Sequence, residues 1–167
     1  MAQSLRVGAG GSWPVFDETL DLNVVKQQSN VSCGAACGEM LLADRGVKIT
    51  QDVIENASYA PIDPIDLVIA LNKLDPSHTR IWKGGTIHAP NVPYESIIRG
   101  LNVTGSWSAA MWERGEPIAH LVVIDGFDES SRLKIRDPWE GTSYTMAIED
   151  FLQVWMLIAI YALTSTK

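Results

Sequence analysis

The hydrophobic period of this chain changes near residue 78, and that switch limits the folds open to it more than any other feature. Before it, apolar residues fall at helical spacing. Ala36, Met40, Leu41 and Ala43 predict a helix over residues 33–45, with Ser32 as N-cap and Gly46 as C-cap. Thr50 caps a second helix to about residue 57, and Pro64 opens a third to about residue 74. After the switch, and apart from a helix over 94–101, short apolar runs lie between Gly, Pro or acidic turns. They predict strands over 79–83, 106–112, 118–127, 133–136 and 144–147. A short helix over 149–155 and an apolar strand over 156–163 close the pattern. A helical half followed by a mainly antiparallel sheet is an α+β fold. Upstream, residues 22–25 lean toward a short strand, and residues 1–12 are small, polar and Gly-rich, which predicts a flexible tail ahead of one domain over 13–167.

Composition removes several classes of function. Thirteen Lys and Arg against 20 Asp and Glu give a formal charge of −7, with no basic run to track a phosphate backbone, so nucleic acid is not an expected ligand. His78, His88 and His120 are scattered and no second cysteine pair exists, so no metal site is expected, and nothing calls for a cofactor. The longest apolar run, 154–163, falls short of a bilayer span and the N-terminus lacks the pattern of a secretory signal, which predicts a soluble domain. Cys33 and Cys37 stand four residues apart on one predicted helix, an orientation poorly suited to a disulfide. They read as two independent thiols, Cys33 exposed and Cys37 packed with Met40 and Leu41 as a small hydrophobe.

Cys33 lies at the mouth of its helix, where backbone N–H groups and the helix dipole favour a thiolate over a thiol. Gln27, six residues earlier, could donate from its side-chain amide to an oxyanion forming near the sulfur. A thiolate needs a base, and the base needs a group to orient it. His120 begins an apolar strand that holds an imidazole in a set direction, and Asp137 ends the next strand before a proline. Antiparallel pairing of those strands would put the carboxylate beside the ring. Each residue alone has a plainer account: a buried cysteine at a helix entry, a core histidine, an Asp-Pro turn. Their order and joint occurrence favour chemistry.

The segments Gln27, Ser32-Cys33-Gly34-Ala35-Ala36, His120-Leu121-Val122-Val123-Ile124-Asp125-Gly126-Phe127-Asp128, Ile135-Arg136-Asp137-Pro138-Trp139-Glu140-Gly141, Phe151-Leu152 and Trp155 carry a resemblance. Over about residues 22–160 the chain resembles papain-like cysteine peptidases, closest to the bacterial C39 branch of double-glycine, bacteriocin-processing peptidases. It is also similar to papain-fold toxin and effector domains of bacteria. The resemblance implies a papain-like fold with the nucleophile helix packed on the sheet. It makes Cys33 the nucleophile, His120 the base and acid, Asp137 the orienting group, and Gln27 with the Cys33 N–H the oxyanion hole. C39 domains are usually fused to transporter and ATPase domains; this sequence has neither a membrane span nor a Gly-rich phosphate loop, which points to a free-standing domain.

The function expected is therefore a cysteine endopeptidase that cuts a protein at a small-residue site, Gly-Gly included, through a thioester. Glutamine deamidation, acyl transfer and leader-peptide processing use the same intermediate or fold and stay open. A non-catalytic peptide-binding module has only the independence of fold and function in its favour. Substrate should lie between the helical half and the sheet, with Trp107, Trp112 and Trp139 as candidate walls, though core positions suit them equally, and with Gly34 keeping the approach to the thiol clear. Gly10-Gly11 would suit self-processing as well as a simple tail. As a toxin the domain would act in a bacterial cytoplasm or be delivered into a target cell, and an immunity protein would occlude its cleft.

Overall fold

The computed structural model describes residues 3–8, 11–58 and 61–165. Along the chain come β1 (Gln3–Gly8), β2 (Gly11–Leu20), α1 (Cys33–Ala43), α2 (Gln51–Ala57) and α3 (Pro64–Leu74). Then follow β3 (Arg80–Thr86), α4 (Tyr94–Val103), β4 (Trp107–Met111), β5 (His120–Phe127), β6 (Leu133–Asp137), β7 (Thr142–Met146), α5 (Ile148–Val154) and β8 (Trp155–Thr164). The strands form one eight-stranded sheet in the order β1-β2-β7-β6-β5-β4-β8-β3. Every neighbouring pair is antiparallel. This is the α+β arrangement expected.

Strand alternation divides the interior in two. In β5, Leu121 and Val123 point to one face, where they meet Cys37, Leu41 and Leu42 of α1, Ile54 of α2 and Leu67 and Leu71 of α3. Val122 and Ile124 point to the other, among Trp13, Ile98 and Leu101 of α4, Trp107 and Phe151 of α5. The sheet is thus covered on both sides. Helix α1 is buried around nearly its whole circumference, as its unbroken run of small and apolar residues from Cys33 to Gly38 requires. Gly38 lets it approach its neighbours, since a Cβ there would lie 3.1 Å from both Ile54 and Leu67.

Three local expectations differ from the fold. Residues 3–8 and 11–20 pair as strands, so the segment read as a tail contains β1 and the first two residues of β2, and β2 also pairs with β7. The signal was the alternation of Trp13 and Val15, both buried, with the half-buried Pro14 and Phe16. Gly10 of the Gly10-Gly11 pair lies outside the described residues. Residues 22–25 form no strand; Val24 is buried and its N–H donates to the Asp21 carbonyl in a turn. Ser32 precedes α1 without capping it by its side chain, and its hydroxyl donates instead to Glu55 of α2. By contrast Asp63 does cap α3, accepting from the Ile65 N–H beside Pro64.

Gly84 in β3 marks a close approach. A Cβ there would come 2.7 Å from Val68 Cγ2 and 2.9 Å from the Ala159 carbonyl oxygen, and a β-sheet backbone cannot move aside as a side chain can. Gly84→Ala is expected to lower stability by about 1–3 kcal/mol, as overpacking does. The measurement is the urea midpoint at unchanged m-value; an unshifted midpoint would remove the close-approach account.

Candidate active site

Four of the residues singled out above converge at one end of α1. Cys33 is the first residue of the helix, His120 the first of β5, Asp137 the last of β6, and Gln27 lies in the loop that leads to the helix. Strands β5 and β6 are adjacent, with Val123 opposite Arg136, so their ends bring His120 beside Asp137. His120 Nε2 is 2.7 Å from Asp137 Oδ1, and both side chains are fully buried. The same carboxylate oxygen accepts the Trp139 N–H at 2.9 Å, an Asx turn that the following Pro138 helps to hold. Oδ2 accepts from the Tyr144 hydroxyl at 2.7 Å. Tyr144 in turn accepts from Trp13 Nε1 at 3.2 Å, and the Trp13 ring stacks on His120.

With Nε2 taken by Asp137, the nitrogen that remains for the thiol is Nδ1, which is buried and makes no conventional hydrogen bond among the described residues. The two groups are coupled nonetheless. Burial opposes ionisation of Cys33, yet the neighbouring His120, with the N–H groups of Leu121 and Gly34, outweighs it and holds the thiol below its ordinary pKa. Burial likewise opposes a charged His120, but the charge and hydrogen bond of Asp137, and then Cys33, push it up to about 10. Both shifts favour the thiolate and imidazolium form of the pair over the neutral one. Cys37 behaves oppositely: burial first, then the charge of Cys33, pushes its thiol well up. It sits in the core with Met40 and Leu41.

Gln27 is buried. Its N–H donates to the Pro138 carbonyl at 2.8 Å, one residue beyond Asp137, and its Nε2 donates to the Ser29 carbonyl at 2.7 Å. An amide nitrogen carries two hydrogens, so one remains for a ligand. The Oε1 atom is buried with no hydrogen-bond partner among the described residues.

Cys33 is 7% exposed rather than open to solvent, a correction to the sequence expectation. It lines a cavity of about 260 Å³ together with Val31, Pro61, Ile62, Asp63, Pro64, Ala110, Ile118, Ala119 and Leu121. A Cβ on Gly34 would lie 3.2 Å from Ile62 and 3.3 Å from Leu121, so Gly34 acts on the approach to the thiol through two of its lining residues. A larger cavity of about 400 Å³, among Asp17, Asp125, Lys134, Arg136 and Thr145, includes none of the four converging residues.

The tryptophans separate. Trp107 does not wall the cleft: it is fully buried in the opposite core against Trp155, with Nε1 donating to Asn102. Trp112 follows β4, is exposed, and donates from Nε1 to the Glu116 carbonyl. Trp139 is partly buried and lines a shallow pocket with Lys26, Gln27, Gln28, Ser29 and Asn30. Trp13 and Tyr144 were missed in the sequence. Their signals were weak: one of two alternating buried positions in β2, and an inward position in a strand whose partner residue is Ile135.

Cys33, His120 and Asp137 lie together on an α+β fold, and comparison with known proteins gives that fold its class. The model of the Peptidase_C39 like family matches residues 19–162, and the chain belongs to that family of cysteine proteases. It is 41% identical over 157 residues to Cysteine protease effector 1 of Escherichia coli O1:K1:H7, a match that covers 94% of this chain and 30% of that relative. The chain thus spans under a third of the curated relative's length. In fold it is similar to the peptidase domain of Streptococcus ComA, described as a bi-functional ABC transporter involved in quorum sensing, with a TM-score of 0.69 at 18% identity over 84% of this chain and 97% of that one. The peptidase domain of Streptococcus mutans ComA matches with a TM-score of 0.53 at 18% identity, over 84% and 98% of the two chains. Among the described residues no helix is long and apolar enough to cross a membrane, and no group of three His, Cys, Asp or Glu could hold a metal ion.

Proposed function

We propose that residues 13–167 act as one catalytic unit, a cysteine endopeptidase that cuts a protein substrate through a thioester on Cys33. The observation that carries this reading is the buried line from Tyr144 through Asp137 and His120, ending at a thiol whose pKa lies below its ordinary value. In the first step Sγ adds to the scissile carbonyl carbon and the electron pair moves to oxygen. The Cys33 N–H and the free N–H of Gln27 Nε2 receive that oxyanion. His120 then protonates the departing amine, leaving the acyl group on sulfur. Water, deprotonated by His120, completes hydrolysis and frees the thiolate.

A thiol only 7% exposed, in the wall of a cavity of about 260 Å³, favours a thin stretch of backbone at the scissile bond. This supports cleavage at small residues, Gly-Gly among them. The shallow pocket at Trp139 and the exposed Trp112 provide surface for flanking residues, and Gly34 preserves the space between Ile62 and Leu121. The similarity to a protein named as a cysteine protease effector supports delivery into a target cell, and an immunity protein that plugs the cleft would be the natural partner of such a toxin.

The test is expression of the wild type and of Cys33→Ala in a bacterial cytoplasm, followed by comparison of protein N-termini. New N-termini after a small residue, found only with the wild type, are the expected result. A gain of about one dalton at glutamine side chains without fragments would replace peptidase with deamidase chemistry on the same thioester. Identical termini and masses in the two strains would overturn the toxin reading.

A further inference from the structure

One side chain outside the reacting set grips the loop on which the oxyanion donor sits. Gln51 opens α2 and is buried, an uncommon place for a glutamine. Its Nε2 donates to the Lys26 carbonyl at 2.9 Å, and its Oε1 accepts the Gln28 N–H at 3.2 Å. Both bonds go to backbone groups immediately flanking Gln27. The backbone N–H of Gln51 is held in turn by Glu39 Oε1 at 2.6 Å, and Glu39 lies on α1, the helix that begins with Cys33. A second tie runs parallel to the first. The Ser32 hydroxyl, one residue before the nucleophile, donates to Glu55 of α2 at 2.6 Å and shares a 2.6 Å hydrogen bond with Ser29, whose carbonyl accepts from Gln27 Nε2.

These bonds close a path from the nucleophile along α1 to α2 and back to the oxyanion donor. The loop between Lys26 and Ser32 has no helix or strand to set its shape, so hydrogen bonds do, and the buried amide of Gln51 supplies the two that bracket Gln27. Building on the proposed function above, we infer that Gln51 is a positioning residue for the oxyanion hole: it acts through Gln27 and never meets the substrate. An amide donor aimed at a developing charge is sensitive to placement, and a displacement of 1 Å can cost about a hundredfold in rate.

The experiment separates the oxyanion from the nucleophile. Acylation by N-acetyl-glycylglycine p-nitrophenyl ester forms the Sγ–carbon bond, breaks the ester carbon–oxygen bond and releases p-nitrophenolate after passing through an oxyanion. Alkylation by iodoacetamide forms a sulfur–carbon bond and expels iodide with no oxyanion. Gln51→Met keeps the side-chain length and removes both hydrogen bonds. It is expected to slow acylation about tenfold to a hundredfold, in the direction of Gln27→Ala. The rate of alkylation and its pH dependence should stay within about twofold, because the Cys33 and His120 pair is untouched. Should Gln51→Met not fold, Gln51→Glu keeps the bond to the Gln28 N–H, sets a carboxylate oxygen against the Lys26 carbonyl in place of the other bond, and should show the same split. Equal acylation by wild type and variant, or a parallel fall in acylation and alkylation, would overturn the positioning role alone. Wild type that acylates no faster than Cys33→Ala would overturn this inference together with the proposed function.

Discussion

Cys33→Ala is expected to reduce cleavage by on the order of 10⁶, to the background set by binding and the oxyanion hole, and to lower stability in a pH-dependent way. The second half follows from charge. His120 and the N–H groups of Leu121 and Gly34 outweigh burial and hold the thiol below its ordinary pKa, so ionised Cys33 contributes stability that is fully present above its unfolded value, about 8.5, and is lost as pH falls through the folded value. Alanine removes that contribution and leaves His120 and Asp137 as a matched pair at 2.7 Å. The variant should therefore be less stable than the wild type under alkaline conditions and approach it as pH falls. Urea denaturation of both proteins across that range gives the comparison, and loss of iodoacetamide uptake confirms that the reactive thiol is gone. A deficit independent of pH would mean that Cys33 serves mainly as core packing, the same role that Cys37 fills.

That contrast between two cysteines four residues apart shows what the sequence made legible and what it did not. Periodicity placed α1, α2, α3 and the strands that carry His120 and Asp137 within a few residues of their positions, because helices and strands whose inner faces are apolar announce themselves in the spacing of Leu, Ile and Val. Convergence of Gln27, Cys33, His120 and Asp137 could be anticipated from their order and from one short connection between adjacent strands. Depth was not legible. Cys33 was expected at the surface, but Pro61, Ile62 and Pro64, from the segment entering α3, fold over it. Sequence spacing does not say how a loop thirty residues away lies over a helix end. Trp107 failed for the same reason, since a strand with both faces covered offers no polar positions to show which side meets solvent. Tyr144 and Gln51 act through hydrogen bonds between distant segments, and no pattern in a single sequence records such contacts.

Asp137→Asn should lower kcat/KM by roughly 10²–10⁴ with the fold retained, because it changes charge without changing shape. In the wild type Oδ1 accepts from His120 and from the Trp139 N–H, and Oδ2 accepts from Tyr144. An asparagine can keep its oxygen on the first two. Its NH₂ then faces the Tyr144 hydroxyl, which can turn and accept, since hydroxyls do both. What disappears is the negative charge that, with its hydrogen bond, outweighs burial and pushes His120 up to about 10. In the variant burial prevails, the imidazole is neutral near pH 7, and Cys33 loses the partner that holds its thiol low. The rate of iodoacetamide alkylation should therefore shift to more alkaline pH, and the wild type's plateau, which ends as His120 deprotonates near pH 10, should vanish. Stability follows the same sign. A group whose pKa is raised on folding stabilises fully below its unfolded value, about 6.5 for histidine, and that contribution is lost as pH rises through the folded value of about 10. The wild type's advantage over Asp137→Asn should thus be greatest at pH 6 and shrink steadily toward pH 10. An alkylation profile unchanged by the substitution would show that Cys33 draws its reactivity from the Leu121 and Gly34 N–H groups alone, with Asp137 no more than a buried turn residue.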